Sequence, residues 1–114
     1  MKANELRLGN WVKREYQPEG FQIDHNSFMR IEAGNVEYEP IPLTEQWLKD
    51  FGFIKINPTR WMLSPRKGDT TILCKLNEWF YMEFNEGVYI GGALKYVHQL
   101  QNLYFALTGK ELTK

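Results

Sequence analysis

The sequence has 114 residues, which fits one domain spanning residues 1–114, and 43% of them are apolar, enough for a hydrophobic core without covalent cross-links. Fourteen basic and fourteen acidic residues cancel, so the chain lacks the long-range positive field that gathers phosphate backbones. The composition therefore argues against non-specific nucleic-acid binding.

Cysteine content and hydrophobic run lengths indicate the compartment. Cys74 is the only cysteine, which excludes an intrachain disulfide. The N-terminal residues lead directly into a charged, strand-like pattern and do not resemble a signal peptide. No apolar run approaches the roughly 20 residues that cross a bilayer. We therefore expect a cytoplasmic protein with no membrane partner.

Residues 1–39 alternate apolar and polar positions in short runs separated by turn residues, which predicts a strand meander. The first of four predicted strands contains Leu6 and Leu8, is interrupted at residues 9–10 and resumes at residues 11–12. The other three contain Phe21 and Ile23, residues 28–31, and residues 36–38. Strands this short and closely spaced are typical of an antiparallel meander or a small half-barrel.

Residues 40–52 predict an extended linker followed by a short helix. Pro40 and Pro42 bias their preceding residues towards extended backbone. Thr44 is the predicted N-cap, and Glu45 places a negative charge in the first turn, where the helix dipole favours it. Gly52 suits the position that follows the last turn of a helix.

Residues 53–92 predict an antiparallel sheet, because five runs rich in β-formers alternate with turn residues. The sheet is predicted to end at Gly91 and Gly92. The longest helix then occupies residues 93–109, ended by Gly109, and residues 110–114 form a tail. The expected fold is α+β, with the C-terminal helix packed on this sheet; whether the strands form one sheet or two is open.

Three stretches of the chain carry a resemblance: residues 1–10 (MKANELRLGN), 40–48 (PIPLTEQWL) and 96–109 (YVHQLQNLYFALTG). Taken together, they resemble short proteins carried by phages and mobile elements of Bacteroides-type bacteria, a group without an assigned activity. The resemblance implies a bacterial cytoplasmic setting and an accessory role, such as one in a phage–host encounter. It implies no catalytic residues.

The outer face of the last helix is the first candidate site. If the Tyr, Val and Leu side chains between residues 96 and 107 face the sheet, Phe105 lies on the opposite side, with His98, Gln101 and Asn102 near it. An exposed aromatic ring beside amide side chains is typical of an interface with a protein partner or a second copy of the chain. These four residues are the predicted partner-binding surface. The alternative is that Phe105 is an additional core contact.

Gly91 and Gly92, directly before the predicted helix, are the second candidate. The backbone N–H groups of a glycine pair can approach an anion, the helix dipole favours negative charge, and Lys95 lies one turn further on. This predicts a small-anion or nucleotide site that uses nearby aromatic rings. The complete phosphate-binding fingerprints require further glycines at fixed spacing or a Lys-Ser/Thr pair, and the sequence has neither at this place. The alternative is a tight turn that directs the helix.

Aromatic residues on the predicted sheet are the third candidate. Trp79 and Tyr81 share one face of their strand, Phe80 and Met82 share the other, and Tyr89 alternates with apolar neighbours on the next strand. Two apolar faces indicate either burial on both sides or one exposed aromatic platform. Burial on both sides is the favoured interpretation.

Enzyme and metal chemistry have little support in the sequence. Cys74, His98 and Asn102 occur in the chain order of papain-like proteases, but the sequence around a reactive cysteine is missing, and Cys74 alternates with apolar residues as a buried thiol does. His25 and His98 lack a second pair of ligands at suitable spacing. We expect no catalysis, no metal and no cofactor, and we predict a non-enzymatic interaction protein.

Overall fold

A computed structural model describes residues 6–14, 17–24, 39–66, 69–85 and 88–112 of the chain. The fold comprises two compact units: Met1–Pro42 with Tyr96–Glu111, called the first unit, and Leu43–Lys95 with Leu112–Lys114, called the second unit. The predicted α+β class is confirmed, since antiparallel sheets of three and five strands occur together with two described helices. Neither of these helices is long and apolar enough to cross a bilayer.

The first unit contains the three-stranded sheet, in the order β2-β1-β3. The strands are β1 (Trp11–Arg14), β2 (Gln17–Gln22) and β3 (Glu39–Pro40). Val12, which is fully buried, lies opposite Phe21 on one side and Pro40 on the other. Two of the predicted strands, at residues 28–31 and 36–38, lie outside the described residues and stay predictions.

The first predicted strand is confirmed at Trp11 and Val12, which lie in β1, and it is wrong at Leu6 and Leu8, because residues 6–10 form a turn before β1. Within it, the Asn10 N–H donates to the Arg7 carbonyl at 3.1 Å, and the Asn10 side chain accepts from the Arg7 N–H. The turn buries Leu6 and leaves Leu8 exposed. A side chain that bonds its own local backbone competes with strand pairing here.

The C-terminal helix, α2 (Val97–Thr108), also belongs to the first unit. It begins four residues later than predicted and ends at Gly109, whose φ of 72° and bond to the Phe105 carbonyl confirm the predicted C-terminal glycine. The Val97 N–H donates to the Ile41 carbonyl at 2.8 Å. Within its unit the helix packs against β1 of the N-terminal sheet.

The second unit begins with the short helix α1 (Glu45–Asp50). Its N-cap is Thr44, as predicted, and the Thr44 hydroxyl accepts from the Trp47 N–H at 3.4 Å. Leu48 is fully buried, and Gly52 adopts a φ of 97° just beyond the last turn. Sequence patterns therefore located this helix and both of its ends.

A five-stranded antiparallel meander makes up the rest of the second unit, in the order β4-β5-β6-β7-β8. The strands are β4 (Ile54–Asn57), β5 (Arg60–Arg66), β6 (Asp69–Leu76), β7 (Trp79–Asn85) and β8 (Val88–Leu94). All five were predicted. Asn77, at a φ of 58°, forms the turn between β6 and β7, where Leu76 pairs with Trp79. The predicted turn at residues 86–87 lies outside the described residues.

The glycine pair lies inside β8 rather than at the end of the sheet. Phe80 pairs with Leu94 and Met82 with Ile90, so four steps along β8 oppose two steps along β7. Gly91 and Gly92 take up the extra length with φ values of 79° and 75°, which other residues rarely adopt. The two glycines therefore form a bulge in a strand that continues to Leu94.

Candidate interaction surface

Strand alternation gives the five-stranded sheet two different faces. In an antiparallel ladder, paired residues project to the same side. Arg60 pairs with Cys74, which pairs with Tyr81, and Glu83 pairs with both Ile72 and Tyr89. We call this side the aromatic face, and it comprises Ile54, Arg60, Met62, Ser64, Thr70, Ile72, Cys74, Leu76, Trp79, Tyr81, Glu83 and Tyr89.

The two faces differ in exposure. Trp61 and Leu73, on the opposite face, are fully buried, and Phe80 and Met82 beside them are nearly so. On the aromatic face, Trp79 is 37% exposed and Tyr89 39%. Others on that face are also exposed, namely Ile54 and Leu76. The prediction of burial on both sides is therefore wrong for the aromatic face, where Trp79 and Tyr89 are more than a third exposed.

The exposed rings are held in defined positions. Tyr81 and Tyr89 lie with ring centroids 5.8 Å apart and planes tilted by 52°, a favourable geometry for two aromatic rings. The Lys95 ammonium lies 5.0 Å from the centroid of the Trp79 ring, which is a cation–π contact. Because these contacts restrain the side chains, the rings would lose little conformational entropy on contact with a partner.

Charged and hydroxyl groups on the aromatic face contact one another. An Arg60 nitrogen lies 3.3 Å from a Glu83 oxygen, and the Glu83 side chain is only 5% exposed. The Tyr89 hydroxyl donates to Cys74 Sγ at 4.0 Å. This hydrogen bond, and after it partial burial, raises the pKa of Tyr89 above its ordinary value. Cys74 is buried, which confirms the interpretation of its alternation pattern.

The geometry assumed for the anion site is not found. Gly91 and Gly92 form the bulge in β8, and α2 begins only at Val97, so the expected glycine pair at a helix start is wrong. Their backbone hydrogens do not belong to a helix terminus and gain nothing from its dipole. Lys95, the third residue of the predicted site, lies over the Trp79 ring.

The predicted helix surface is partly turned inward. His98 is 5% exposed and its ring stacks on Tyr96 at 6.0 Å, and Gln101 is fully buried, so the expected exposure of both side chains is wrong. The Gln101 amide accepts from the Trp11 N–H at 2.8 Å and donates to the Gly9 carbonyl at 3.0 Å. It is buried because it satisfies a backbone donor and a backbone acceptor next to β1.

The other two residues of that surface contact the N-terminal turn. Asn102 is half-buried, and its oxygen accepts from Arg7 Nε at 3.0 Å and from Asn10 Nδ2 at 2.9 Å. Phe105 is 39% exposed, and the Arg7 guanidinium carbon lies 4.3 Å from its ring centroid. Arg7 also forms an ion pair with Glu111. Part of the Phe105 ring is thus covered within its own unit; its role in partner binding stays a prediction.

Among the residues with described coordinates, no three His, Cys, Asp or Glu side chains are grouped so that they could hold a metal ion. His25, one of the two histidines considered as ligands, lies outside those residues. Comparison of the chain with protein-family models, with curated proteins and with solved structures gave no match. The resemblance to phage and mobile-element proteins stays a prediction.

Proposed function

We propose that this chain is a non-enzymatic, cytoplasmic protein-interaction module that binds its partner with the aromatic face. The observation that carries the proposal is the exposure of Trp79 and Tyr89 on one side of a sheet whose other side holds the fully buried Trp61 and Leu73. Large exposed apolar side chains that share one face are typical of a contact site on a protein surface. The proposed contact surface is therefore on the second unit, whereas the sequence suggested a contact surface on α2.

The residue types on this face favour a protein partner. Trp, Tyr, Met and Arg are the residues enriched at the centres of protein interfaces, and all four occur here as Trp79, Tyr89, Met62 and Arg60. Small-molecule sites instead combine a concave pocket with polar groups that converge on the ligand. On this face the Arg60–Glu83 and Tyr89–Cys74 contacts direct polar groups towards each other.

Site-specific photo-crosslinking tests the proposal. A photoreactive amino acid is placed at Leu76 on the aromatic face or, as a matched control, at Leu107 on α2, since both side chains are exposed. Lysate of the cells that make the protein is irradiated with each variant. We expect one discrete protein adduct from position 76 and none from position 107.

The adduct should also disappear when Trp79 and Tyr89 are both replaced by Ser. Both rings are more than a third exposed, so the double variant should remain folded, which circular dichroism will verify. Adducts from position 107 alone would contradict the aromatic face as the contact surface and would support α2 instead. The absence of any adduct would contradict the proposed function. A nucleotide that raises the melting temperature by several degrees would favour the ligand-binding alternative.

A further inference from the structure

The charges on the aromatic face are matched within the face itself. Arg60 is paired with Glu83 at 3.3 Å, and the hydroxyls of Ser64 and Thr70 are hydrogen-bonded to each other at 3.3 Å. Lys95 follows the last residue of β8 and lies at the margin of the face, where solvent screens its charge. A complementary surface therefore needs no opposite net charge; it needs to be apolar, aromatic and locally neutral.

The same face on a second copy of the chain has these properties. An internally neutral surface can meet its own copy about a two-fold axis without placing unmatched like charges opposite each other. The whole chain also has a formal net charge of +0 at pH 7, so two copies do not repel one another at long range.

The size of the face suits a stable dimer. Strands β5 to β8 have seven or eight residues each. With about 4.8 Å between strands and about 3.4 Å per residue, four such strands cover roughly 19 Å by 24 Å before side-chain relief is counted. The product is roughly 460 Å², more than half of the roughly 800 Å² that each partner buries in a standard interface, and side-chain relief adds to it.

We infer that the partner bound at the aromatic face is a second copy of this chain, packed face to face about a two-fold axis. This inference rests on the proposed function, because it names the occupant of the same surface. The axis passes near the centre of the face, so that Trp79 and Tyr89 of each copy are buried against the other. Packed sheets lie about 10 Å apart, which is the depth that these side chains fill.

Analytical ultracentrifugation over a wide range of protein concentrations tests the inference. The wild-type chain should sediment with twice the mass of one chain at high concentration. Replacing Trp79 and Tyr89 by Ser should raise the dimer dissociation constant at least about tenfold, since buried aromatic residues contribute most to the binding energy of interfaces. Ile54→Lys, a single change at an exposed position of the same face, should also weaken the dimer, because it places an unpaired charge in an apolar contact.

Phe105→Ser is the matched control, because Phe105 is as exposed as Tyr89 but lies on α2. It should leave the dissociation constant unchanged. A wild-type chain that stays monomeric at every concentration overturns the inference, as does a dimer that only Phe105→Ser dissociates. A monomer that still gives a crosslink from position 76 to another protein would overturn the inference while leaving the proposed function intact.

Discussion

The first unit buries polar side chains, whereas the second unit exposes aromatic ones. On α2, Gln101 is fully buried and Asn102 is half-buried, and both amides bond to the segment around Asn10. On the five-stranded sheet, Trp79 and Tyr89 are large apolar rings and yet remain more than a third exposed. Polarity alone therefore predicts the wrong surface in both places.

The difference follows from how each unit satisfies its backbone. Where the turn enters β1, the Gln101 side chain of α2 accepts from the Trp11 N–H and donates to the Gly9 carbonyl, and these two bonds account for the burial of its amide. In the five-stranded sheet, each central strand is hydrogen-bonded on both sides, so its backbone needs no side-chain partners. One face forms the core, and the rings on the other are left for contacts outside the sheet.

The sharpest test of the packed first unit is Gly20→Ala. Gly20 has a φ of +85°, and an added Cβ would lie 2.5 Å from Ile41 Cδ1 and 3.1 Å from the Val12 carbonyl oxygen. Since Ile41 is buried, it has little room to move. We expect a loss of about 3 kcal/mol in the free energy of unfolding, combining backbone strain with overpacking. Urea denaturation measures it.

Gly92→Ala is the matched control in the second unit. Gly92 has a similar φ of +75°, but a Cβ added there meets nothing within 4 Å. The backbone strain alone should cost about 1 kcal/mol. Equal losses for the two variants would mean that the close packing around Gly20 contributes nothing, and that the contrast between the units is wrong at this point.

Gln101→Leu tests the buried amide. The change keeps a similar volume but removes the acceptor for the Trp11 N–H and one donor to the Gly9 carbonyl. We expect a loss of about 2 kcal/mol in the free energy of unfolding, because a buried backbone donor loses this bond. Chemical denaturation followed by circular dichroism provides the value.

Gln22→Leu is its control, since the exposed Gln22 amide donates to the same Gly9 carbonyl at 3.1 Å. Solvent can replace this bond, so the loss should stay within about 0.5 kcal/mol. If Gln101→Leu were as mild as Gln22→Leu, the buried amide would not stabilise the first unit, and Gln101 would again be available as a surface residue.

Local signals in the sequence were sufficient for much of the fold. Thr44 and Gly109 were correctly predicted as helix ends because capping depends on one residue and its near neighbours. The five strands of the second unit follow from β-formers and turn residues. The glycine pair was wrongly predicted to end the sheet, because a positive φ fits a bulge as well as a turn. Only the register of β8 with Phe80 and Met82 distinguishes a bulge from a turn.

The candidate surface was less accessible to prediction because it depends on distant pairing. Alternation correctly placed Trp79 with Tyr81 on one side of β7, but it did not say which side would be covered. The burial of Gln101 depends on Trp11 and Gly9, about 90 residues earlier in the chain. Helical periodicity assigns polar side chains to the exposed side of a helix. It contains no information about hydrogen bonds to backbone groups that are distant in the sequence.

The smallest expected effect concerns the thiol beneath the aromatic face. The Tyr89 hydroxyl donates to Cys74 Sγ, which stabilises the protonated phenol and raises the pKa of Tyr89 above its ordinary value of 10.0. The folded chain therefore keeps this proton to higher pH than the unfolded chain. The resulting stabilisation is complete below the unfolded pKa and is lost as pH rises through the folded pKa.

Ultraviolet titration of tyrosinate, taken as the difference between each protein and its Tyr89→Phe form, isolates this group. Cys74→Ala should lower the pKa of Tyr89, because it removes the leading cause of the shift. Arg60→Gln should act in the opposite direction, since the positive charge of Arg60 lowers that pKa. Opposite shifts would show that Tyr89 lies against both groups, as the register of the sheet requires. An unchanged pKa of Tyr89 in Cys74→Ala would contradict the hydrogen bond between the Tyr89 hydroxyl and the Cys74 thiol. Tyr89 would then have one fewer contact within the aromatic face.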